Sequence, residues 1–423
     1  MSVGNSHRLF FFDNLRYLMI ILVVILHSAI GYSHIIPWWP VIDSRQSILL
    51  DILLAVGEVF TVPVLFFISG FFVISSIRKR GVVSFLSFNL IRLGLVWLAL
   101  VLLVNPVLSY LSHYTRLNGF VSMSYGDFWI QYMQDTLRFK TGFIVTMDMI
   151  PSDQPKSLNH FNQYHAWFIS LLMGFFCLVS LAYVLVRGIN QRISSPPQIT
   201  DLLKKMSPVL ISCTMGVLIA VSVYIFHYYT YTYSNVFDPW ISVGHIFQFQ
   251  PSRIFLYLFS FFLGTFSSIN PWYHDDQVII TRPTLWIICC GGLSGVYLFA
   301  INTLMDGPSL AWLGIYSLAR TFLCISGLMI IISFSYRYWN QSSSFGRFLA
   351  KNSFNVYLIH LIFVVILQWL LLSWSWPGIG KWALISALSL IVSYALSHYM
   401  INRTPRLFVT CFLGIFISII IFI

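Results

Sequence analysis

The stretch DNLRYLMIILVVILHSAIGYS, Asp13 to Ser33, decides how this chain is read. It is apolar and long enough to cross a membrane, which takes about 20 residues as a helix. Yet it carries Arg16 and His27, with only apolar or aromatic residues between them. Both side chains are expensive inside a bilayer, and where they occur they mark function or pairing. They lie 11 positions apart. At about 100° per residue that puts them within about 20° of one helix face and about 16 Å apart along the axis. One face therefore carries a permanent cation near its start and a titratable imidazole deeper in. Asp13, three residues before Arg16, is placed to hold it at the interface.

The rest of the chain shares this character. Its 423 residues are 58% hydrophobic and 9% charged, where a soluble protein would have about a quarter charged. The expected fold is an all-α polytopic transmembrane bundle of ten or eleven helices. Spans are expected near 10–34, 47–76, 85–112, 165–187, 207–232, 253–270, 284–304, 310–335, 353–372, 382–401 and 407–423. The first is read as a helix and not as a cleaved leader, because it contains Arg16 and lacks a small-x-small cleavage site. The chain divides into a transmembrane domain over 1–403 and an additional hydrophobic helix over 404–423.

The net charge of +11 is spread over short loops, so it reflects membrane orientation and not nucleic-acid binding. With the N-terminus in the cytoplasm, 14 lysines and arginines fall in loops on that side and 7 on the other. That bias sets the N-terminus inside. The six cysteines fall in apolar runs without metal-ligand spacing and read as small core residues. No metal site is expected. The loop 113–164, outside the cytoplasm, is long and rich in Tyr, Trp, Asn and Gln. It reads either as a binding element for a hydroxyl-rich ligand such as a sugar or as a lid over helix ends.

Other polar residues stand inside or beside the spans. Glu58, the only glutamate, needs a neutral state or a partner in the bundle, which a histidine or an arginine on another helix would supply. PVLFFISGFF, Pro63 to Phe72, carries Ser69 and Gly70, a notch for close helix packing. Arg92, in FLSFNLIRL, is either a snorkelling anchor or half of a phosphate clamp with Arg16. His165 and Trp167, in HAWFI, stand at the outer interface. Tyr357 and His360, in NVYLIHLIF, share a helix face.

These pieces, in this order over about residues 8–400, resemble the acyltransferase family 3 integral membrane proteins, which O-acylate extracytoplasmic carbohydrates. DNLR and HAWF look most like the branch that modifies periplasmic glucans. The resemblance implies a bacterial cytoplasmic (inner) membrane enzyme. It also implies an acyl-CoA co-substrate, acetyl or succinyl, on the cytoplasmic side and a glycan or glycolipid acceptor outside, with no tightly bound cofactor. It implies that Arg16 and His27 are essential and that Arg92 belongs to a basic group. The site expected on this reading has His27, Arg16 and Glu58 as catalytic residues. Arg16, Arg92 and Ser69 would hold the acyl-CoA, and His165, Trp167, Tyr357 and His360 the acceptor. His27 would act as base or as acyl carrier, with Glu58 orienting its ring. Asn89 stands where the family often has a second arginine. The alternative reading is a proton-coupled transporter or flippase of a sugar or lipid-linked sugar, although no internal repeat is visible.

Overall fold

The structure is a computed structural model that describes residues 9–36, 38–116, 123–138, 143–147, 162–192, 208–234, 238–269, 283–306 and 309–422. Much of the 113–164 loop lies outside these, including Lys140, Asp148, Asp153, Lys156 and Asn159. The protein is an all-α bundle with one small sheet. Among the described residues, nine helical segments are long and apolar enough to cross a membrane, and Cys213–Tyr229 and Pro405–Ile420 form shorter apolar stretches.

In chain order the first helices are α1 (Phe10–Ile30), α2 (Ile48–Arg80), α3 (Val82–Ala99) and α4 (Asn105–Arg116). A π-helical turn at Leu100–Val104 joins the last two into one span. Its cause is local. Pro106 has no N–H to give the Leu102 carbonyl four residues back, and the Trp129 indole donates to that carbonyl instead at 2.9 Å. Then follow α5 (Tyr125–Leu137), α6 (Trp167–Arg192), α7 (Pro208–Ser234), α8 (Pro251–Ile269) and α9 (Pro283–Asp306). The chain closes with α10 (Leu310–Tyr338), α11 (Ser344–Leu370), α12 (Gly378–Leu396) and α13 (Pro405–Phe422). Each of the eleven expected spans is helical. Three short strands, β1 (Ile144–Met147), β2 (Trp240–Val243) and β3 (Phe247–Phe249), pair antiparallel in that order.

We call the end where α1 begins proximal and the other end distal. Helix α1 packs on α2, α11 and α12, and α2 packs most extensively on α8. The notch expected at Gly70 is used there. A Cβ on Gly70 would strike the Phe261 carbonyl, and one on Gly264 would strike that of Phe67. Only glycine lets these two backbones meet. The cysteines correct the expectation that they are core residues. Cys324 is buried, but Cys177, Cys213 and Cys411 lie on the outer surface, where an apolar thiol suits lipid as well as it suits a core. Helix α13 packs on α5, with Phe416 against Tyr125 and Trp129.

Two buried polar locks hold the distal segments that shape the site. Gln163, fully buried, accepts from the Trp97 indole and the Ser170 hydroxyl and donates to the carbonyls of His245 and Ile246. This ties the start of the HAWFI segment to the turn between β2 and β3 and to α3. Lys381, wholly buried, donates to Asp43 at 2.5 Å, fastening the 31–47 loop to α12.

Candidate functional site

Helices α1 and α11 lie side by side and meet at both ends of the Arg16 to His27 face. At the proximal end, Asn14 donates to the carbonyls of Trp339 and Gln341, just before α11. Deeper in, His27 of α1 meets His360 of α11, with Nδ1 and Nε2 3.1 Å apart.

The direction of that hydrogen bond follows from its neighbours. His360 Nδ1 lies 2.7 Å from the Tyr357 carbonyl and 3.2 Å from that of Val356. A carbonyl only accepts, so Nδ1 of His360 carries a hydrogen. In the neutral ring Nε2 is then an acceptor. His27 must donate to it from its own Nδ1. Nε2 of His27 is left as the unprotonated nitrogen. The His27 ring is half-buried, whereas His360 is fully buried. His27 stacks on Trp39, with centroids 5.7 Å apart and planes at 14°. The Trp39 indole is fixed by Gln368 Oε1 at 2.8 Å, and Gln368 reaches back to the Ser28 carbonyl.

A third histidine backs the pair. The His165 ring stands 5.3 Å from that of His360, and its Nε2 donates to the Leu358 carbonyl at 3.1 Å. The Tyr357 hydroxyl donates to the His165 carbonyl. The Tyr357 hydroxyl is thus bonded to the backbone of the HAWFI segment, and it is the Tyr357 carbonyl that meets the His360 ring one turn away. Among the described residues, Nδ1 of His165 is buried without a hydrogen-bond partner.

Arg16 lies about 16 Å back along α1. It pairs with Asp13 at 2.8 Å, as the spacing suggests. It lines a cleft of about 290 Å³ together with Asp13, Asn14, Gly346, Arg347 and Lys351. Arg347 and Lys351 are exposed and one turn apart on α11. Arg347 is braced by the hydroxyls of Ser342 and Ser344. Among the described residues the cleft therefore holds three cations against the single carboxylate of Asp13.

Two of the expected acyl-CoA contacts lie elsewhere. Arg92 is exposed and does not line this cleft; its guanidinium sits over the Phe354 ring at 5.6 Å, about one turn deeper along α11. The Ser69 hydroxyl donates to the Leu65 carbonyl of its own helix at 2.9 Å and stands away from the cleft. Asn89 likewise bonds back to Phe85 and adds no charge. Arg347 and Lys351, the cations that line the cleft with Arg16, stand in SFGRFLAK at the start of α11. Their i, i+4 spacing was visible, but sequence alone assigned them only to a loop.

Glu58 has one of the two partner types expected for it, an arginine and not a histidine. It does not contact His27. Its carboxylate pairs with Arg253 at 2.8 Å and lies 4.0 Å from Arg320. Asp238 completes this cluster, 3.1 Å from Arg253 and 3.6 Å from Arg320. Burial opposes ionisation of Asp238, but His227, the two arginines and the Ser252 hydroxyl hold its carboxyl down at about 2. The only glutamate is thus committed to two arginines from α8 and α10, and the partner of His27 is a histidine. Trp167 joins neither centre directly. Its ring lies 5.5 Å from both Trp240 and Tyr257.

A membrane-embedded bundle with a paired-histidine centre and a cationic cleft at one end is the class of protein described so far. The family model described as an acyltransferase domain, that of acyltransferase family 3, matches residues 9–423. The chain belongs to this family and is a membrane acyltransferase. No curated protein and no solved structure matches it.

Proposed function

We propose that the protein moves an acyl group, acetyl or succinyl, from an acyl-CoA on the cytoplasmic side to a hydroxyl of an extracytoplasmic glycan or glycolipid. Its place would be the bacterial inner membrane, with the proximal end of the bundle in the cytoplasm. The observation that carries this reading is the fixed direction of the His27 to His360 hydrogen bond, which leaves a lone pair on a half-buried imidazole.

On this reading the CoA phosphates rest in the cleft of Arg16, Arg347 and Lys351, where guanidinium groups suit phosphate oxygens. The pantetheine arm runs along α1 and α11 to His27. Nε2 of His27 takes the proton of a sugar hydroxyl. The oxygen attacks the thioester carbonyl, the C–S bond breaks, and the proton passes to the leaving thiolate. Alternatively Nε2 attacks the thioester first, the C–S bond breaks and the CoA thiolate leaves; the sugar hydroxyl then attacks the acyl-imidazole carbonyl, the C–N bond breaks, and the hydroxyl proton passes to the thiolate. In both routes the His27 Nδ1–H bond to His360 supports the positive charge that develops on the ring.

The test is His27→Ala, with expression checked, in cells whose glycan is followed with a labelled acyl group, with and without the gene. Label is expected to be lost in the variant. Transfer at the wild-type level would defeat the mechanism.

A further inference from the structure

The distal end carries a second constellation that the donor chemistry does not use. Ring contacts lead away from His27 without a break. Trp39 stacks on His27 at 5.7 Å, and Trp38 lies 6.3 Å from Trp39. Trp240 lies 6.4 Å from Trp38, and Trp167 lies 5.5 Å from Trp240. Tyr257 is stacked 5.5 Å from Trp167. Trp39 and Tyr257 are buried, whereas Trp38, Trp240 and Trp167 are half-buried. Four separate segments contribute these rings: the 31–47 loop, β2, α6 and α8. Tyr257 stands one turn along α8 from Arg253, the partner of Glu58.

Glu58 is level with His27. Gly57 packs directly on the Leu26 side chain, so the turn of α2 that bears Glu58 lies beside the turn of α1 that bears His27. The Glu58 side chain is 32% exposed, although both of its arginines are largely buried. The carboxylate is therefore the open edge of an otherwise closed cluster.

Membrane interfaces gather tryptophan regardless of function. An anchoring belt, however, spreads its rings around the perimeter. Here the rings form one connected row from the reacting imidazole to a buried ion cluster. Such a cluster is costly to desolvate and adds nothing to anchoring.

The charges indicate what fits. Arg253 and Arg320 stand against Glu58 and Asp238, so the cluster is formally neutral. The proximal cleft is cationic. A polyanion suits one end and an uncharged polyol suits the other. Indole faces cover the apolar C–H face of a pyranose, and where a carboxylate stands next to a guanidinium the carboxylate accepts from hydroxyls and the guanidinium donates to them.

We infer that Trp38, Trp240 and Trp167, with the Glu58–Arg253 pair, form the acceptor subsite and take an uncharged pyranose, stacking its ring and bonding its hydroxyls. This rests on the reading of the protein as a glycan O-acyltransferase. It moves Glu58 from the reacting imidazole to acceptor binding.

The test uses the purified full chain in nanodiscs. Tryptophan fluorescence is titrated with malto-, cello- and manno-pentaose, with pentagalacturonate as the anionic control. A parallel arm places a neutral glycolipid in the nanodisc to separate a lipid-borne sugar from a free one. Binding of a neutral sugar in either arm is expected. Trp240→Ala and Glu58→Gln are each expected to weaken it by about tenfold or more, a loss typical of an anchoring contact. Trp240→Phe keeps a stacking ring and should recover most of the loss. CoA affinity, measured separately, reports that each variant is folded. The subsite is overturned if the wild type binds no neutral sugar, if pentagalacturonate binds as tightly, or if folded variants bind within about twofold of the wild type. If the wild type binds the sugar but cleaves neither acetyl-CoA nor succinyl-CoA, the acyltransfer reading to glycan falls and the subsite stands.

Discussion

His360 Nε2 lies 3.1 Å from His27 Nδ1, while His360 Nδ1 lies 2.7 Å from the Tyr357 carbonyl. Because the carbonyl can only accept, these two distances fix the hydrogen positions on both rings. His360 is a positioning residue on this geometry, since it acts on His27 and faces no open surface. His360→Ala is expected to lower kcat about 10²- to 10⁴-fold, the range for losing a correctly oriented base. KM for acyl-CoA should barely move. His360→Gln, whose amide oxygen can accept from His27 Nδ1, should restore part of the rate. A purely structural role for His360 would give a loss that glutamine does not relieve, together with a raised KM.

The proximal cleft gives the opposite kinetic signature. Arg347 and Lys351 line it with Arg16 but stand about 20 Å and about 14 Å from His360 along α11. Arg347→Glu and Lys351→Glu are expected to raise KM for acyl-CoA by about tenfold each at low salt, because a cation that meets phosphate is replaced by an anion. The effect should shrink as salt rises, and kcat at saturation should hold. Steady-state kinetics at two ionic strengths decide this. An unchanged KM would show that the phosphates dock elsewhere, with Arg92 over Phe354 the next cation to test.

The sequence carried the helices well, because long apolar runs broken by charged loops dictate spans almost unaided. It also carried the Arg16 to His27 face, which is a matter of period within one helix. What it could not carry was pairing between helices. His27 and His360 are 333 positions apart, and nothing local says that α1 and α11 are neighbours. Whether the partner of Glu58 is a histidine or an arginine was open for the same reason: its arginines come from α8 and α10, far along the chain. Ser69 failed differently, since a hydroxyl inside a helix satisfies itself on the preceding turn when no better partner is near. Trp38, Trp39 and Trp240 gave no signal apart from that of ordinary interfacial aromatics.

The buried pair of Lys381 and Asp43 makes a stability prediction. Lys381 is fully buried and Asp43 nearly so, and they join α12 to the loop that carries Trp38 and Trp39. Removing one partner leaves a lone buried charge and should cost about 3–5 kcal/mol. Lys381→Met and Asp43→Ala are each expected to lower Tm in detergent markedly. The double variant should be less destabilised than the sum of the two, because neither charge is then stranded. Strict additivity would show that the two side chains do not depend on each other. Since the loop also holds Trp39 against His27, the single variants should lose activity below the temperature at which they unfold.

Gly70 tests the packing that brings the ion cluster together. Helices α2 and α8 meet at Gly70 and Gly264, each facing the other helix's backbone. These two helices also carry Glu58 and Arg253, about three turns from the contact on each. A methyl group at Gly70 would strike the Phe261 carbonyl, and backbone yields less readily than a side chain. Gly70→Ala is expected to cost about 1–3 kcal/mol, the usual range for overpacking. Gly314, whose nearest neighbour is a Tyr224 ring carbon 4.0 Å from the Cβ position, is the control: Gly314→Ala should be neutral or stabilising, since alanine favours a helix interior. Thermal melting of both variants in one detergent separates the cases. If Gly70→Ala melts with the wild type, the close approach of α2 and α8 is not what sets the position of Glu58.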